Sequence, residues 1–307
     1  MTATDRRYVT VDVFTDTMLG GNPLAVVLDS AGLTAPQMQA LASEFNYSET
    51  TFVLPPETPG HTAHVRIFTP SREVPFAGHP NVGTAFALAR QMAERGERVP
   101  DEFVFEEAAG LVPLSLMRES GVVVGAELLA PEKLSRRARL ARDRAAACLS
   151  LAPEDIRVDR HEPQVLSVGL AFLVTELVSR DALRRAKPAR AAYQENLPLD
   201  GAHAVYAYTR DVGAGVDCDV QARMFSPRLT EDPATGSATG AAAALLAELQ
   251  PVADGEIALR FRQGVDMGRP SLLATRVGMR AGGVTSVHVG GRCVAAMQGT
   301  FRLPGVG

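Results

Sequence analysis

The sequence has little of what marks several common protein classes. Only three of its 307 residues are cysteine, Cys148, Cys218 and Cys293, and their odd number and wide spacing argue against a disulfide framework or a cysteine-based zinc site. No run of about 18 apolar residues occurs that could span a membrane. The net charge of −4 gives no reason to expect binding to nucleic acid or to anionic lipid. The first residues lead into an alternating strand pattern without the apolar segment of a signal peptide, so we expect a cytoplasmic protein.

The length predicts one large or two medium domains, of which we favour two, and the 46% hydrophobic content suffices for their cores. Thr34 and Gln37 form a capping box, which predicts a helix from Thr34 onward. The Arg- and Ala-rich segment 135–149 predicts another helix, and we interpret its basic part, 135–144, as a solvated face rather than a polyanion site. Short alternating or β-branched runs predict strands at 10–15, 22–28, 50–54, 63–68, 170–174, 204–208 and 221–225.

Two short patterns occur twice in the same order. The sequence RIFTP at 66–70 returns as RMFSP at 223–227, 157 residues later. HPNVGTA at 79–85 returns as DPATGSA at 232–238, 153 residues later. One coincidence would mean little, but two in the same order at similar offsets indicate a duplicated unit.

The repeat predicts an α+β fold with two pseudo-symmetric halves, each a mostly antiparallel sheet wrapped around one central helix. We place the halves at 1–118 and 119–292, with a C-terminal strand at 293–307 that returns to the first half. Both helices are predicted to open at the (His/Asp)-Pro pair and to be rich in alanine. Segments 77–89 and 233–247 contain no charged residue, which favours burial of both helices.

The start of a helix presents unpaired N–H groups and a partial positive charge, so it suits an anion. If a pseudo-two-fold axis relates the halves, both helix starts can face one interdomain cleft and bind one small carboxylate. Gly83 and Gly236 would let a ligand or a facing helix approach closely. The plainer interpretation is that Asp232 is only an N-cap and His79 only a satisfied polar residue. The duplicated placement favours a functional role.

Glu49 is a candidate proton carrier, and His61 and His64 are candidate metal ligands. Glu49 lies between the first predicted helix and the following strand, flanked by Tyr47 and Phe52, so partial burial would raise its pKa. His61 and His64 have no acidic or cysteine partner nearby in the sequence, so we predict no metal site there.

Several stretches together resemble the PhzF family of phenazine-biosynthesis-like isomerases, which share the diaminopimelate epimerase-like fold. These stretches are DVFTDTMLGGNPLAVVL (12–28), NYSETTFV (46–53), RIFTPSREVPFAGHPNVGTA (66–85), EDPATGSATGA (231–241) and QGVDMGRPS (263–271). They follow the family's order over most of the chain.

The resemblance implies an isomerase without cofactor or metal, which binds a small anionic substrate in its interdomain cleft. Glu49 would be the general acid/base that moves a proton between carbons of a small cyclic amino or hydroxy acid, and His79 and Asp232 would share the active site. It further implies secondary metabolism and a homodimer. The implied substrate-binding residues are Ser48, Gly78, Gly236, Ser237, Gln263 and Arg269.

Two other functions stay open. Epimerases and racemases of the same fold use a pair of cysteines, but neither predicted helix start contains one. A protein that kept the cleft and lost the chemistry would bind a small carboxylate without turning it over. The presence of Glu49, His79 and Asp232 argues against this second alternative.

Overall fold

The computed structural model describes residues 5–303, which separate into two compact units. Unit 1 comprises Met1–Leu128 and Gly290–Gly307, and unit 2 comprises Leu129–Val289. Of the strand predicted at 293–307, residues 304–307 lie outside the described residues. The fold is α+β and rich in sheet, and its longest strand, β18 (Gly283–Arg302), begins in unit 2 and ends in unit 1.

Unit 1 is a sheet with one long helix and one shorter helix. Strand β1 pairs antiparallel with β2 and with the end of β18, β2 pairs parallel with β3, and β3 pairs antiparallel with β4. The short β5 and the longer β6 both pair with β4, and β6, β7 and β8 form an antiparallel meander. The elements are β1 (Asp5–Val13), β2 (Asn22–Val27), α1 (Ala35–Phe45), β3 (Thr50–Leu54), β4 (Ala63–Phe68), β5 (Glu73–Val74), α2 (Gly78–Glu94), β6 (Glu102–Glu107), β7 (Gly110–Glu119) and β8 (Val122–Leu129).

Unit 2 joins its elements in a comparable order. Strand β12 pairs parallel with β13, β13 pairs antiparallel with β14, β15 and β16 both pair with β14, and β16 pairs antiparallel with β17. The elements are β9 (Ser135–Arg139), α3 (Arg142–Cys148), β10 (Ile156–Arg157), β11 (Gln164–Ser167), β12 (Ala171–Leu177), α4 (Arg180–Arg185), α5 (Arg190–Asn196), β13 (Val205–Thr209), β14 (Val220–Phe225), β15 (Glu231–Asp232), α6 (Gly236–Glu248), β16 (Gly255–Gln263) and β17 (Ser271–Arg280).

The repeated Arg-x-Phe pattern has the same structural role in each unit. Arg66 binds Glu73 through Nε and Nη2, each 2.7 Å from a carboxylate oxygen, and lies over the ring of Phe68. Arg223 binds Glu231 in the same two-pronged way, at 2.8 and 2.7 Å, and lies over Phe225. In both units the glutamate follows the turn after the arginine strand, so this ion pair fastens β5 or β15 to its neighbour.

The second central helix begins later than the sequence predicted. Helix α2 contains His79 and Pro80, but α6 begins at Gly236, after Asp232 and Pro233. The prediction that an Asp-Pro pair opens the helix is therefore wrong. In each unit the helix starts five residues after the glutamate of the ion pair, Glu73 or Glu231, so strand pairing aligns Gly78 with Gly236. Asp232 occupies β15 because it pairs with Met224.

Both central helices are buried over their first three turns, as the absence of charges predicted. Every residue from His79 to Ala89 of α2 is buried, and α6 is equally enclosed from Ala238 to Ala247. A Cβ at Gly83 would lie 2.6 Å from Leu24 and 2.7 Å from Val13. Strands β1 and β2, rather than a ligand or a facing helix, thus make the close approach at Gly83.

The predicted helix at 135–149 is wrong in its first half. Residues 135–139 form β9, which pairs with β11, and helix α3 covers only Arg142–Cys148. Backbone pairing with β11 outweighs the helix preference of the Arg and Ala residues. Arg139 of β9 binds the carboxylate of Glu162 at 2.7 Å, Arg136 binds that of Glu248, and Arg137 donates to the backbone carbonyl of Asp200.

The two histidines considered as metal ligands each lie near a glutamate. Nδ1 of His61 lies 2.7 Å from Oε1 of Glu106, and Nδ1 of His64 lies 3.2 Å from Glu57. Residues 5–303 contain no group of three or more His, Cys, Asp or Glu side chains arranged to hold a metal ion. In that same part of the chain, every helix is too short or too polar to cross a membrane.

Candidate active site

The candidate residues of unit 1 begin where α1 ends. Asn46 adopts a left-handed conformation with φ of 54°, and its N–H donates to the carbonyl of Ala42, which closes the helix. The chain then turns through Ser48, which is exposed, into β3. Glu49 immediately precedes β3, and 21% of its side chain is exposed. The turn therefore leaves the Glu49 carboxyl group partly open to solvent.

His79, the second residue of α2, lies beside Glu49. Its Nδ1 is 3.6 Å from Oε2 of Glu49 and 3.5 Å from Nδ2 of Asn22. Burial lowers the pKa of His79 to about 3, because charging the ring in this dry environment is unfavourable. The imidazole is thus neutral at physiological pH.

The neutral ring of His79 leaves one polar atom for a ligand. When Nδ2 of Asn22 donates to Nδ1, the ring proton lies on Nε2. Nε2 is buried, and within residues 5–303 it has no hydrogen-bond partner. Gly78 opens the helix next to it, and the N-cap residue Ala77 has no side chain that could satisfy the first N–H groups. This corner of unit 1 combines a carboxylate, an unused ring nitrogen and a helix start.

The candidate residues of unit 2 form a hydrogen-bonded group around Asp232. Oδ2 of Asp232 accepts a hydrogen bond from Oγ1 of Thr235 at 2.6 Å. Gln263, the last residue of β16, donates from Nε2 to the carbonyl of Asp232 at 2.7 Å and to Oγ1 of Thr235 at 2.9 Å. Oε1 of Gln263 accepts from the backbone N–H of Thr235 at 3.2 Å. The segment that leads into α6 is thereby fixed on both sides.

The predicted binding residues of unit 2 divide into two groups. Gln263 is completely buried and uses its amide on the Asp232–Thr235 segment. Gly264 follows with φ of 73°, and a Cβ there would lie 2.7 Å from the carbonyl oxygen of Pro233. Gly236 is buried at the start of α6, while Ser237 and Arg269 are half-buried.

Sequence reasoning missed Asn22 and Thr235 as neighbours of the predicted catalytic residues. Thr235 had a usable signal, because an Asp followed three residues later by Thr places both side chains at one helix start. Asn22 had none, because only the antiparallel pairing of β1 with β2 and the packing of α2 on both bring it to His79.

Known proteins similar to this chain identify its family. A family model described as phenazine biosynthesis-like protein, PhzC-PhzF, matches residues 11–299. The chain belongs to this family. It is 39% identical to an uncharacterized isomerase of Mesorhizobium japonicum, over 96% of this chain and 98% of that protein. It is 37% identical to the trans-2,3-dihydro-3-hydroxyanthranilate isomerase of Pseudomonas aeruginosa, over 97% and 99% of the two chains.

Solved structures support the fold of this PhzC-PhzF member. The Bacillus anthracis phenazine biosynthesis protein of the PhzF family superposes with a TM-score of 0.86 at 23% identity, over 97% of this chain and 99% of that one. At that identity the likeness concerns the fold alone. The family match and the two full-length isomerase relatives make this chain an isomerase.

Proposed function

We propose that this PhzC-PhzF member is a cofactor-independent isomerase in which Glu49 moves a proton between carbons of a small cyclic amino or hydroxy acid. The observation that carries the proposal is the Glu49 carboxylate, 3.6 Å from a buried, neutral His79. The Pseudomonas aeruginosa relative is named for a dihydro-hydroxyanthranilate, which is a cyclic amino acid with a hydroxyl group. We propose a substrate of that class for this chain.

In the proposed mechanism, Glu49 takes a proton from one carbon of the substrate and returns it to another carbon of the conjugated system. The neutral ring of His79 donates from Nε2 to the oxygen on which negative charge develops, and the first N–H groups of α2 assist it. The low pKa of His79 matters here, because a neutral ring donates a hydrogen bond without competing with Glu49 for the proton. General acid–base catalysis of this kind contributes about 10²–10⁴-fold.

Asp232, in our proposal, acts on the same substrate from unit 2 and orients its polar groups, while Gly236, Ser237 and Arg269 bind its anionic part in the predicted interdomain cleft. We assign Gln263 to the support of Asp232. The similar order of strand pairings in the two units supports a pseudo-symmetric pair of diaminopimelate epimerase-like domains. We also propose that the enzyme works as a homodimer in the cytoplasm, in secondary metabolism.

Deuterium exchange tests the role of Glu49. The protein is incubated in D₂O with trans-2,3-dihydro-3-hydroxyanthranilate and related cyclic acids, and deuterium incorporation is followed by NMR. Wild type should incorporate deuterium, and Glu49→Gln should incorporate it at least 100-fold more slowly. Glu44→Gln, an exposed glutamate of α1, is the matched control and should keep the wild-type rate. Exchange that continues unchanged in folded Glu49→Gln would refute the assignment.

The raised pKa values of the three cysteine thiols argue against a racemase that uses two cysteines as bases. Burial raises the pKa of Cys148 to about 11 and that of Cys293 to about 12, so both stay protonated at neutral pH. Cys218 is buried as well, and its pKa is also raised by burial. None of the three lies at the start of α2 or α6. A thiolate pair for two-base racemisation is therefore not supported.

A further inference from the structure

The support that Gln263 gives to Asp232 has a positional counterpart in unit 1. In unit 2, Gln263 ends β16, whose residues Phe261 and Arg262 pair parallel with β14. In unit 1, β6 pairs with β4 in the same way through Phe105 and Glu106, and the next residue, Glu107, ends the strand. By strand register, Glu107 occupies the position of Gln263.

Glu107 faces the interior of unit 1. Along β6 the buried residues alternate, so Glu107 shares the inward face with Phe103 and Phe105 and is only 9% exposed. Neither of its carboxyl oxygens makes a hydrogen bond of normal geometry in the described part of the chain. Such an acidic side chain, nine-tenths buried and unpaired, is rare without a specific use.

The surroundings of Glu107 connect it to the start of α2. Two residues beyond it, the N–H of Ala109 donates to the carbonyl of Pro75 at 3.1 Å, in the segment that leads to His79. Glu107 and Val74 line a common cavity of about 270 Å³. Asn81, in the first turn of α2, lies within side-chain hydrogen-bonding reach of the Glu107 carboxyl group and so opposes part of the effect of burial on its pKa. Nδ2 of Asn81 also donates to the carbonyl of Ala77, the N-cap of the helix, at 3.1 Å.

The charged groups around this cavity leave Glu107 without an ionic partner. They are Glu57, His64, Arg66, Glu73 and Glu106. Arg66 is paired with Glu73, His64 with Glu57, and Glu106 with His61. No charge on the segment 74–77 or on the first two turns of α2 faces it either, since that stretch contains no Asp, Glu, Lys or Arg and His79 is neutral.

We propose that Glu107 is a positioning residue for His79, acting as an uncharged carboxylic acid that supports the first turn of α2 through Asn81. A protonated carboxyl group offers one donor and one acceptor, so it can pair with the amide of Asn81, whose Oδ1 is likewise buried without a hydrogen-bond partner in the described part of the chain. Burial raises the pKa of Glu107 to about 8, so the uncharged form is present at neutral pH. Ionisation would place an unpaired charge beside α2 and displace the helix start.

Nitrogen-15 NMR of the histidine rings tests this role without a substrate. The His79 signal is identified by its loss in His79→Asn. At pH 7, Glu107→Gln should keep the wild-type His79 signal, because glutamine imitates the protonated acid, whereas Glu107→Ala should displace it. Between pH 6 and 10 the wild-type signal should move with a midpoint near pH 8, the pKa of Glu107, and Glu107→Gln should abolish this transition. His79 itself does not ionise in that range.

The matched control is Glu102→Gln, the same chemical change at the exposed first residue of β6, which should leave the His79 signal and its pH transition unchanged. The proposal is overturned if the transition is missing in wild type, persists in Glu107→Gln, or if Glu107→Gln displaces His79 as far as Glu107→Ala does. The importance of Glu107 for catalysis rests on the proposed function, whereas the spectra test only whether Glu107 positions His79. Failure of the proposed isomerase function would be seen only in the deuterium-exchange experiment with Glu49→Gln.

Discussion

Replacing Glu107 by Gln removes one ionisable group from the inner face of β6 and should change how stability depends on pH. Burial raises the pKa of Glu107 from 4.5 to about 8 in the native state. Between those pH values the unfolded chain has lost this proton, while the native chain keeps it. Since the native state binds more protons than the unfolded state, the free energy of unfolding of the wild type falls as pH rises from about 4.5 to about 8.

The size of the effect follows from the difference between the two pKa values. Each unit of difference corresponds to about 1.4 kcal/mol, so ionisation of the unfolded chain destabilises the native wild type by about 3–5 kcal/mol at pH 8 relative to pH 4.5. Glu107→Gln carries no ionisable group and escapes this loss. Its stability relative to the wild type should rise by that amount across the interval and stay constant at higher pH.

Urea unfolding followed by circular dichroism at pH 5, 6.5 and 8 measures the effect. Wild type, Glu107→Gln and the exposed control Glu102→Gln are compared in one buffer system at constant ionic strength. Glu102→Gln should follow the wild type within about 0.5 kcal/mol at each pH. A stability difference between Glu107→Gln and wild type that is the same at pH 5 and at pH 8 would refute the reasoning, because it would mean that Glu107 ionises normally in the native state.

Three further predictions concern the remaining parts of the two units. Gly264→Ala should lower the free energy of unfolding by more than about 2 kcal/mol in thermal unfolding, because residue 264 has a φ of 73° and the added Cβ would collide with backbone atoms. Gly268→Ala is the control: residue 268 has the same φ but open space around it, so the loss should be only about 1 kcal/mol. Glu231→Gln should lower the free energy of unfolding by about 2–3 kcal/mol and Glu73→Gln by less than about 1 kcal/mol, because the side chain of Glu231 is 13% exposed and that of Glu73 is 38% exposed. Equal losses in the two variants would contradict this reasoning. The ring nitrogens of His79 should keep the NMR shifts of a neutral imidazole down to pH 5, and a protonated ring at pH 6 would contradict its low pKa.

Features that depend on neighbouring residues were predictable from the sequence. The capping box of α1 is confirmed: the N–H of Gln37 donates to Oγ1 of Thr34, and Oε1 of Gln37 accepts from the N–H of Thr34 at 2.9 Å. The burial of α2 and α6 is confirmed for the same reason, because a segment without charges has no group that requires water. Each of these features depends only on residues within one helical turn or one helix.

Features that depend on strand pairing were not predictable. Residues 135–139 became a strand because β11 offers them backbone partners 25 or more residues away, which local helix preference cannot anticipate. The match of HPNVGTA with DPATGSA has the wrong register for the same reason. The pairing of Glu73 with Phe68 and of Glu231 with Phe225 aligns Pro75 with Pro233, so the proline after His79 is not the counterpart of the proline after Asp232.

Alignment by strand pairing also bears on the chemistry, because it compares the two units residue by residue. Thr50 pairs with Phe68 in unit 1, and Val205 pairs with Phe225 in unit 2, so the residue preceding Val205, Ala204, corresponds to Glu49. In the same alignment, Ser237 corresponds to His79, since each is the second residue of its central helix. Unit 2 therefore offers an alanine and a hydroxyl where unit 1 offers a carboxylate and an imidazole. Racemisation by two bases requires a proton carrier on each face of the reacting carbon, whereas moving one proton between two carbons requires only one. Because unit 2 has neither a carboxyl group nor a thiol at these two aligned positions, the alignment favours the proposed one-base isomerase over the two-base racemase.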